Sequence, residues 1–352
     1  MNSLERLHAT LGGRPVDRAA NLDIFMTRAA RHIGVPLSTY YLDHRVLAAA
    51  NLAVLEAFGL DIVQAISDPY REAADCGLEV TFPEDGLPVN RTPLIAERRD
   101  LGRVRFPVRE FGPRMTDRLE GVRLMRARVG DEVPVMGWVE GALAEAADLR
   151  GMSSVMLDLV TEPAWLKDLL ERCVEVEVAF ACAQIDAGAH VIGLGDAVAS
   201  QISPAMYREF ALPYERRIFE AVRERGAIPR LHICGNTTHL LNDLPASGAA
   251  IIDVDWMVDV GRAAAAFGAA AVCGNADPVA VFLMGTPAQV RDAVRANAAA
   301  GGARWFSAAG CEIPDGTSAA NLHAQREALG ELGARGLEPP PGLATETSAT
   351  WK

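Results

Sequence analysis

From residue 133 onward, the sequence alternates between short apolar runs, many of them rich in β-branched residues, and longer segments with helical periodicity. The apolar runs span residues 133–138, 190–194, 228–233, 250–254, 270–274 and 304–308. Helix starts lie between them: Ser203-Pro204 and Thr286-Pro287 each place a capping hydroxyl before a proline, and Thr161-Glu162-Pro163 opens a third helix. Strands that alternate with helices of about 10 to 20 residues predict βα units and a parallel sheet.

Polar residues follow one predicted strand after another, and this distribution favours a closed barrel over an open doubly wound sheet. They are Glu140, Asp196, His232 with Cys234, Asp253 with Asp255, Asn275 with Asp277, and Cys311. In a barrel, the carboxyl ends of all strands converge on one mouth, where the loops build the active site. In an open sheet most of these residues would lie too far apart to cooperate. We therefore predict an α/β fold of the (β/α)8 TIM-barrel type.

The rest of the chain surrounds this predicted barrel. Residues 42–58 are predicted to be a helix rich in Ala and Leu, and residues 76–114, which contain five prolines, are predicted to be mostly loop. We expect residues 1–336 to form a single domain with an N-terminal helical extension. The C-terminal tail, residues 337–352, is rich in Pro, Thr and Ser and is predicted to be disordered.

The charge balance and the hydropathy exclude two classes of partner. The net charge is −12 and no run of Lys or Arg is long enough to form a nucleic-acid patch, so we expect no nucleic-acid partner. The chain has no apolar stretch of about 18 residues, so we expect no membrane span and a cytoplasmic location. The six cysteines are scattered through a long chain, which argues against a disulfide framework.

The segment Arg230-Leu-His-Ile-Cys-Gly-Asn236 is the most informative part of the sequence. Residues two apart on a strand point to the same side, so His232 and Cys234 face the same space. Gly235 then allows a sharp turn. Cys311 follows the last predicted strand, and in a barrel its thiol would meet the other two across the mouth. We predict that these three residues form one metal site.

The donor set selects the metal and suggests its use. One imidazole and two thiolates suit Zn²⁺, and three protein ligands leave a fourth position open, as in catalytic rather than structural zinc sites. A substrate thiol at an open position would bind as a reactive thiolate. The alternative interpretation is that the cysteines are small buried hydrophobes, since Cys is among the most buried residues.

Four further residues are candidates for the site, each with a structural alternative. Glu140 is a possible fourth metal ligand or substrate contact, or else a solvated loop residue. Asp196 is a candidate substrate contact or partner of the His ring, or else caps a loop. Asp68 precedes a proline and either points into the mouth or forms a turn. Asn275 is a candidate substrate contact whose alternative is also a turn.

Together these motifs resemble the uroporphyrinogen decarboxylase superfamily. The resemblance is carried by His232-x-Cys234-Gly235, the Cys273-Gly-Asn-Ala-Asp-Pro278 turn, Gly310-Cys311-Glu312 and Asn321. Within the superfamily, the chain looks most like the zinc methyltransferases that work with corrinoid proteins, such as the methylcobamide:coenzyme M enzymes. The resemblance implies a single (β/α)8 barrel, a zinc site formed by His232, Cys234 and Cys311, and a corrinoid protein as partner that carries methylcobamide as co-substrate.

The decarboxylase branch of the superfamily is the principal alternative. Asp68 matches its catalytic aspartate and Arg31 matches the second arginine of its N-terminal motif, but Thr27 stands where that pattern has the first arginine. A tetra-acidic porphyrinogen needs several cationic contacts, so the missing arginine argues against this activity. The decarboxylases also have no such zinc ligands.

We therefore predict a zinc-dependent methyltransferase that moves a methyl group between a corrinoid and a small thiol or methylated small molecule. Three alternatives stay open. They are a metal-free porphyrinogen decarboxylase, a corrinoid-linked demethylase of a methoxy, methylamine or halide compound, and a non-catalytic protein that binds zinc or handles corrinoids. The sequence leaves the methyl donor, the acceptor and the direction of transfer undetermined.

Overall fold

The computed structural model describes residues 1–335, and the predicted disordered tail at 337–352 lies outside them. A seven-stranded parallel sheet forms its centre, with each strand paired to the next in chain order. The strands are β1 (Val63–Gln64), β2 (Val135–Glu140), β3 (Val191–Gly195), β4 (Ile228–His232), β5 (Ile251–Asp253), β6 (Ala271–Cys273) and β7 (Trp305–Phe306). Each of the six predicted apolar runs overlaps one of these strands, so the βα interpretation is confirmed. Strand β1 is additional and has only two residues.

The helices occupy the connections between these strands and the segments before β1. They are α1 (Ser3–Leu11), α2 (Thr27–Ile33), α3 (Leu37–Leu42), α4 (His44–Phe58), α5 (Arg71–Cys76), α6 (Pro113–Val129), α7 (Ala142–Arg150), α8 (Met152–Thr161), α9 (Pro163–Asp186), α10 (Pro204–Phe210), α11 (Leu212–Glu224), α12 (Val260–Phe267), α13 (Pro287–Gly301) and α14 (Ala319–Arg335). Short 3₁₀ turns and one π-helix, Pro278–Leu283, complete the connections.

The predicted helix starts agree with this structure. The Ser203 hydroxyl accepts a hydrogen bond from the Met206 amide, and Thr286 forms a reciprocal capping box with Gln289. Helix α9 begins at Pro163, as expected, but without a side-chain cap. Two proline-first helices thus begin with the hydroxyl caps that the sequence predicted.

The edges of the sheet come together through the N-terminal segment. Strands β1 and β7 are the two ends of the strand order, and no eighth strand lies between them in residues 1–335. An extended segment around Asn21 lies there instead. The amide of Leu22 donates to the Ser307 carbonyl (2.8 Å), and the amide of Asp61 donates to the Asn21 carbonyl (2.9 Å). The structure is thus α/β and TIM-like, but it has seven strands rather than the predicted eight. Strands β1 and β7 do not pair, so the sheet does not form the predicted closed barrel.

The two faces of the sheet bury different sets of residues, because side chains alternate along each strand. Val139 and Ile252 belong to the large apolar cluster that includes the helices, whereas Met136, Trp138 and Ile251 belong to a smaller cluster with the other strands. This second face also carries the polar residues of β4 and the end of β2, described next. No helix within the described residues is long and apolar enough to span a bilayer.

Candidate metal centre

Strand β4 supplies the first two residues of the centre. His232 ends the strand, and Cys234 follows after one intervening residue, so both side chains project from the same face. His232 Nε2 lies 3.1 Å from the Cys234 sulfur. Gly235 has a φ of +90°, which an L side chain rarely adopts, and it turns the chain away directly after the thiol.

Cys311 reaches the other two residues from the loop after β7. Its sulfur lies 3.5 Å from the Cys234 sulfur and 3.7 Å from His232 Nε2. The preceding residue must be small, because a Cβ on Gly310 would lie 2.4 Å from the Trp256 amide nitrogen. The fold therefore brings together three potential ligands that come from β4 and from a loop about 77 residues further along the chain.

The triangle of ligand atoms fits a zinc ion. Tetrahedral zinc with Zn–N of about 2.0 Å and Zn–S of about 2.3 Å requires N···S and S···S separations of about 3.6 Å and 3.8 Å. The three separations here are 3.1, 3.5 and 3.7 Å. Within residues 1–335, His232, Cys234 and Cys311 are the group of His, Cys, Asp or Glu side chains whose ligand atoms converge closely enough to share a metal ion. Both the donor types and their spacing are therefore compatible with zinc.

The three potential ligands shift one another's pKa values in different directions. A hydrogen bond from Cys234 and the nearby imidazole lower the pKa of Cys311 to about 4, although burial opposes this shift. The same sulfur contact, together with burial, raises the pKa of Cys234. Burial alone would lower the pKa of His232, but the cysteine charge and a neighbouring carboxylate raise it. Negative charge is thus favoured on the Cys311 sulfur, beside the imidazole, where a cation would bind.

A buried acid on the neighbouring strand holds the imidazole. Asp253 pairs in register with His232, and its Oδ2 atom lies 2.9 Å from His232 Nδ1. The Arg230 guanidinium donates to both carboxylate oxygens through Nε, at 2.9 and 3.1 Å. Burial alone would raise the pKa of Asp253, but the charge of Arg230 outweighs it and the pKa is lowered. The sequence placed Asp253 among the polar residues that follow the strands, and only the strand register shows its contact with the ring.

The three residues open into a small cavity of about 150 Å³. Its walls are both apolar and acidic: Ile24, Met26, Ile66, Asp68, Pro69, Trp138, Glu140, Gly195, Ala197 and Glu312 join the three potential ligands. The Trp138 ring lies 5.9 Å from the His232 ring, measured between centroids. Gly195 makes room for it, because an added Cβ there would lie 2.9 Å from Trp138 Cζ2. An indole and a glycine thus determine the shape of the wall beside the imidazole.

Glu140, which the sequence offered as a possible ligand or substrate contact, contributes a carboxyl group to the cavity wall. Its Oε1 atom accepts hydrogen bonds from Arg71 (2.8 Å) and from the Trp138 indole (3.1 Å). Its Oε2 atom faces Gly195, at 3.2 Å from the position of an added Cβ. Burial raises the pKa of Glu140 to about 7, against the opposing charge of Arg71. Near neutral pH this carboxyl can therefore either donate or accept a proton.

Asp68 also lines the cavity, but it is strongly engaged by other residues. Its Oδ2 atom accepts hydrogen bonds from Arg114 and from Ser67, the latter at 2.6 Å, and its Oδ1 atom accepts from the Tyr70 amide. Burial would raise the pKa of Asp68, but the charges of Arg114 and Arg71 lower it. Asp68 is thus an ionised carboxylate in a network of buried arginines at one edge of the cavity.

The other two candidates point elsewhere. Asp196 is fully buried and does not line the cavity, although its neighbours Gly195 and Ala197 do. It is not the partner of the His232 ring, which contacts Asp253. An added Cβ at Gly141 would lie 2.5 Å from the Asp196 carboxylate, which therefore lies beside the start of α7. The Asn275 amide donates to the backbone carbonyls of Asp255 and Val258, and so supports the loop after β5.

Two residues of the wall were not predicted from the sequence. Glu312 follows Cys311 directly, and its Oε1 atom accepts hydrogen bonds from the amide and the hydroxyl of Thr27, both at 2.7 Å. Burial raises the pKa of Glu312 to about 7. Trp138 is the second. The sequence did contain a signal for each residue. Glu312 directly follows a candidate ligand, and the alternation of side chains along a strand places Trp138 on the same face as Glu140.

The chain is similar to known proteins over most of its length. The family model described as uroporphyrinogen decarboxylase (URO-D) matches residues 2–332. The Methylcobamide:CoM methyltransferase MtbA of Methanosarcina mazei is 30% identical over 325 residues, which cover 90% of this chain and 94% of the relative. The uroporphyrinogen decarboxylase of Streptomyces coelicolor is 30% identical over 273 residues, or 73% and 75% of the two chains. A solved methyltransferase from Methanosarcina mazei shares the fold, with a TM-score of 0.81 at 24% identity, covering 94% of this chain and 99% of the other.

Proposed function

The chain belongs to the uroporphyrinogen decarboxylase family, and within this family we propose that it is a zinc-dependent methyltransferase acting between a corrinoid and a small thiol. The observation that carries the proposal is the convergence of His232, Cys234 and Cys311 at the cavity. Two thiolates and an imidazole have no evident use in a decarboxylase. The similarity to a protein named as a methylcobamide:CoM methyltransferase supports the same activity.

In this proposal each residue around the cavity has a defined task. His232 Nε2 and the sulfur atoms of Cys234 and Cys311 would hold the zinc ion. When bound, zinc would supply the positive charge that keeps an acceptor thiol in its thiolate form at neutral pH. Glu140 Oε2 lies in the same wall and would contact the substrate, accepting the thiol proton there, because its pKa is about 7.

The transfer itself needs a strong nucleophile and alignment rather than further protein chemistry. The electron pair of the acceptor thiolate forms the new C–S bond, while the Co–C bond of the methylcobamide breaks and its pair stays on cobalt. The Trp138 and Ile66 side chains line the cavity and would limit the access of water to the substrate sulfur. The methylcobamide would be presented by a corrinoid protein, since a cavity of about 150 Å³ cannot enclose it.

The cationic groups of helix α2 separate the proposal from the decarboxylase alternative. A tetra-acidic porphyrinogen needs several cationic contacts. Arg31 is engaged by Asp85 and Asp315, and the residue at the other arginine position is Thr27, which donates to Glu312. No pair of free cationic groups therefore faces the cavity from this helix. The demethylase alternative uses the same ligands and differs only in substrate.

We propose further that the segment around Asn21 closes the barrel in place of a regular eighth strand, so that residues 1–336 form one domain. Its hydrogen bonds to Ser307 on one side and to Asp61 on the other support this arrangement. The cysteines among residues 1–335 are unpaired, and a site built on thiolates needs a reducing compartment such as the cytoplasm, which we propose as the location.

The proposal is tested by zinc content and by methyl transfer in the same preparation. We expect about one zinc per chain and a loss of methylcobalamin absorbance that requires an added thiol. Cys311→Ala should abolish both, whereas Cys182→Ala, a partly exposed cysteine on α9, should change neither. Full zinc content and activity in Cys311→Ala would refute the mechanism. Conversion of a porphyrinogen by the zinc-free protein would instead support the decarboxylase alternative.

A further inference from the structure

Three polar residues on adjacent strands form a continuous buried chain that leads to the candidate metal centre. Arg230 and His232 lie two residues apart on β4, and Asp253 lies opposite His232 on β5. Arg230 Nε donates to Asp253 Oδ1 (2.9 Å) and Oδ2 (3.1 Å), and Asp253 Oδ2 lies 2.9 Å from His232 Nδ1. The imidazole therefore contacts the carboxylate through one nitrogen and the cysteine sulfur atoms through the other.

Arg230 is held in place from several sides. Its side chain is 1% exposed, and Nη2 donates to the Leu22 carbonyl at 3.0 Å. Nη1 lies against Met136 Sδ at 3.7 Å, an uncharged neighbour. A guanidinium that is buried and fixed in this way cannot rotate toward solvent, so its positive charge stays beside Asp253.

These contacts determine the orientation of the His232 ring. Arg230 Nε donates to both oxygens of Asp253, and the carboxylate faces His232 Nδ1 as a hydrogen-bond acceptor at 2.9 Å. Nε2 is then the nitrogen that faces Cys234 and Cys311. A metal ion bound at Nε2 would lie between the ring and the two sulfur atoms. The contact of Nδ1 with Asp253 would remain, because it lies on the other side of the ring.

We propose that Asp253 and Arg230 are positioning residues, which fix the tautomer and the orientation of His232 so that Nε2 is available to a metal ion. The inference rests on the proposed zinc site but does not depend on the methyl-transfer reaction. Metal-binding histidines commonly donate their second nitrogen to a carboxylate, and loss of such a partner typically lowers metal affinity 10- to 100-fold. The positive charge of Arg230 neutralises the negative charge of Asp253. The Asp253 carboxylate therefore does not repel thiolates that bind at the metal site.

A buried ion pair that merely stabilises the core is the competing explanation. The chain contains a matched example, since Arg150 Nε donates to Asp158 Oδ2 at 2.9 Å and both side chains are mostly buried, with no contact to the cavity. Asp253→Asn and Asp158→Asn therefore make the same chemical change in two buried Arg–Asp pairs. Only the first removes a carboxylate from a histidine.

The experiment measures zinc affinity by competition with a chelator, together with unfolding by urea, for the wild type and both variants. We expect Asp253→Asn to lose 10- to 100-fold in zinc affinity and Asp158→Asn to stay within about threefold of the wild type. Nitrogen chemical shifts of the zinc-loaded, ¹⁵N-histidine-labelled protein should show a protonated Nδ1 on His232. Asp253→Asn should weaken or shift that signal, because a side-chain amide can donate as well as accept.

Arg230 provides an independent comparison. Arg230→Lys keeps the charge, and we expect it to retain more zinc affinity than Arg230→Met, which leaves Asp253 without a counter-charge. Wild-type zinc affinity in Asp253→Asn, with a loss of stability like that of Asp158→Asn, would overturn the proposal. Zinc binding that follows the expected pattern without methyl transfer would overturn the proposed function but support the positioning role. A wild-type chain that binds no zinc would overturn both.

Discussion

Replacing Gly195 by alanine would narrow the cavity without touching any of the three candidate metal ligands. An added Cβ would lie 2.9 Å from Trp138 Cζ2 and 3.2 Å from Glu140 Oε2. Apolar atoms pack at about 3.5–4.0 Å, so the indole must move by at least about 0.6 Å. Overpacking of this kind should lower the free energy of unfolding by about 1–3 kcal/mol. Gly195 lies within β3 and its φ is not positive, so backbone strain adds nothing to this cost.

The functional consequence should be selective. The displaced indole and the new methyl group take up space beside Glu140, so we expect the KM for the thiol to rise about tenfold, which corresponds to about 1.4 kcal/mol. Zinc affinity should stay within about threefold of the wild type, because the ligands are untouched. Urea denaturation, chelator competition and methylcobalamin loss at varied thiol concentrations measure the three quantities.

The control for this variant is Gly102→Ala, where an added Cβ has no neighbour within 4 Å. It should match the wild type in all three measurements. Equal stability and equal KM for Gly195→Ala and Gly102→Ala would refute the packing argument. A loss of zinc affinity in Gly195→Ala as large as that of Cys311→Ala would show that the glycine supports the ligands instead of the substrate space.

Three further predictions test other parts of the structure. Burial raises the pKa of Glu215 from an unfolded value of 4.5 to about 7, so stability should fall as pH rises between these values. Glu215→Gln should remove about 3 kcal/mol of the difference in unfolding free energy between pH 5 and pH 8, and an unchanged pH profile would contradict it. At free zinc 100-fold above its Kd, the wild type should gain about 2.7 kcal/mol in unfolding free energy, and a comparable gain in Cys311→Ala would contradict its role as a ligand. Thr286→Ala should cost about 1 kcal/mol by urea denaturation, because Gln289 loses its capping partner, and no loss would refute the cap.

Much of the fold could be predicted from the sequence because buried parallel strands are apolar along their whole length. Six such runs were visible, and each overlaps a strand. Strand β1 was missed because two paired residues, Val63 and Gln64, leave no periodic pattern. The segment around Asn21 was missed for a related reason, since it joins β7 to the start of β1 through a few hydrogen bonds and is not a regular strand.

Within the candidate site, the sequence by itself determined what depends on local geometry. The two-residue spacing of His232 and Cys234 on a strand required both to face one side, and the turn at Gly235 followed from its residue type. Residue types likewise indicated the chemistry, because imidazole and thiolate groups are ligands that zinc prefers.

Only the tertiary structure decided which distant residues meet these two. The approach of Cys311, the contact of Asp253 with the imidazole and the absence of Asp196 from the cavity depend on strand register and on the direction of each side chain. A shift of one residue would turn a side chain to the opposite face, and no local pattern encodes that choice. The carboxylate beside the ring is therefore known from the pairing of β4 with β5, which packing of the whole sheet determines.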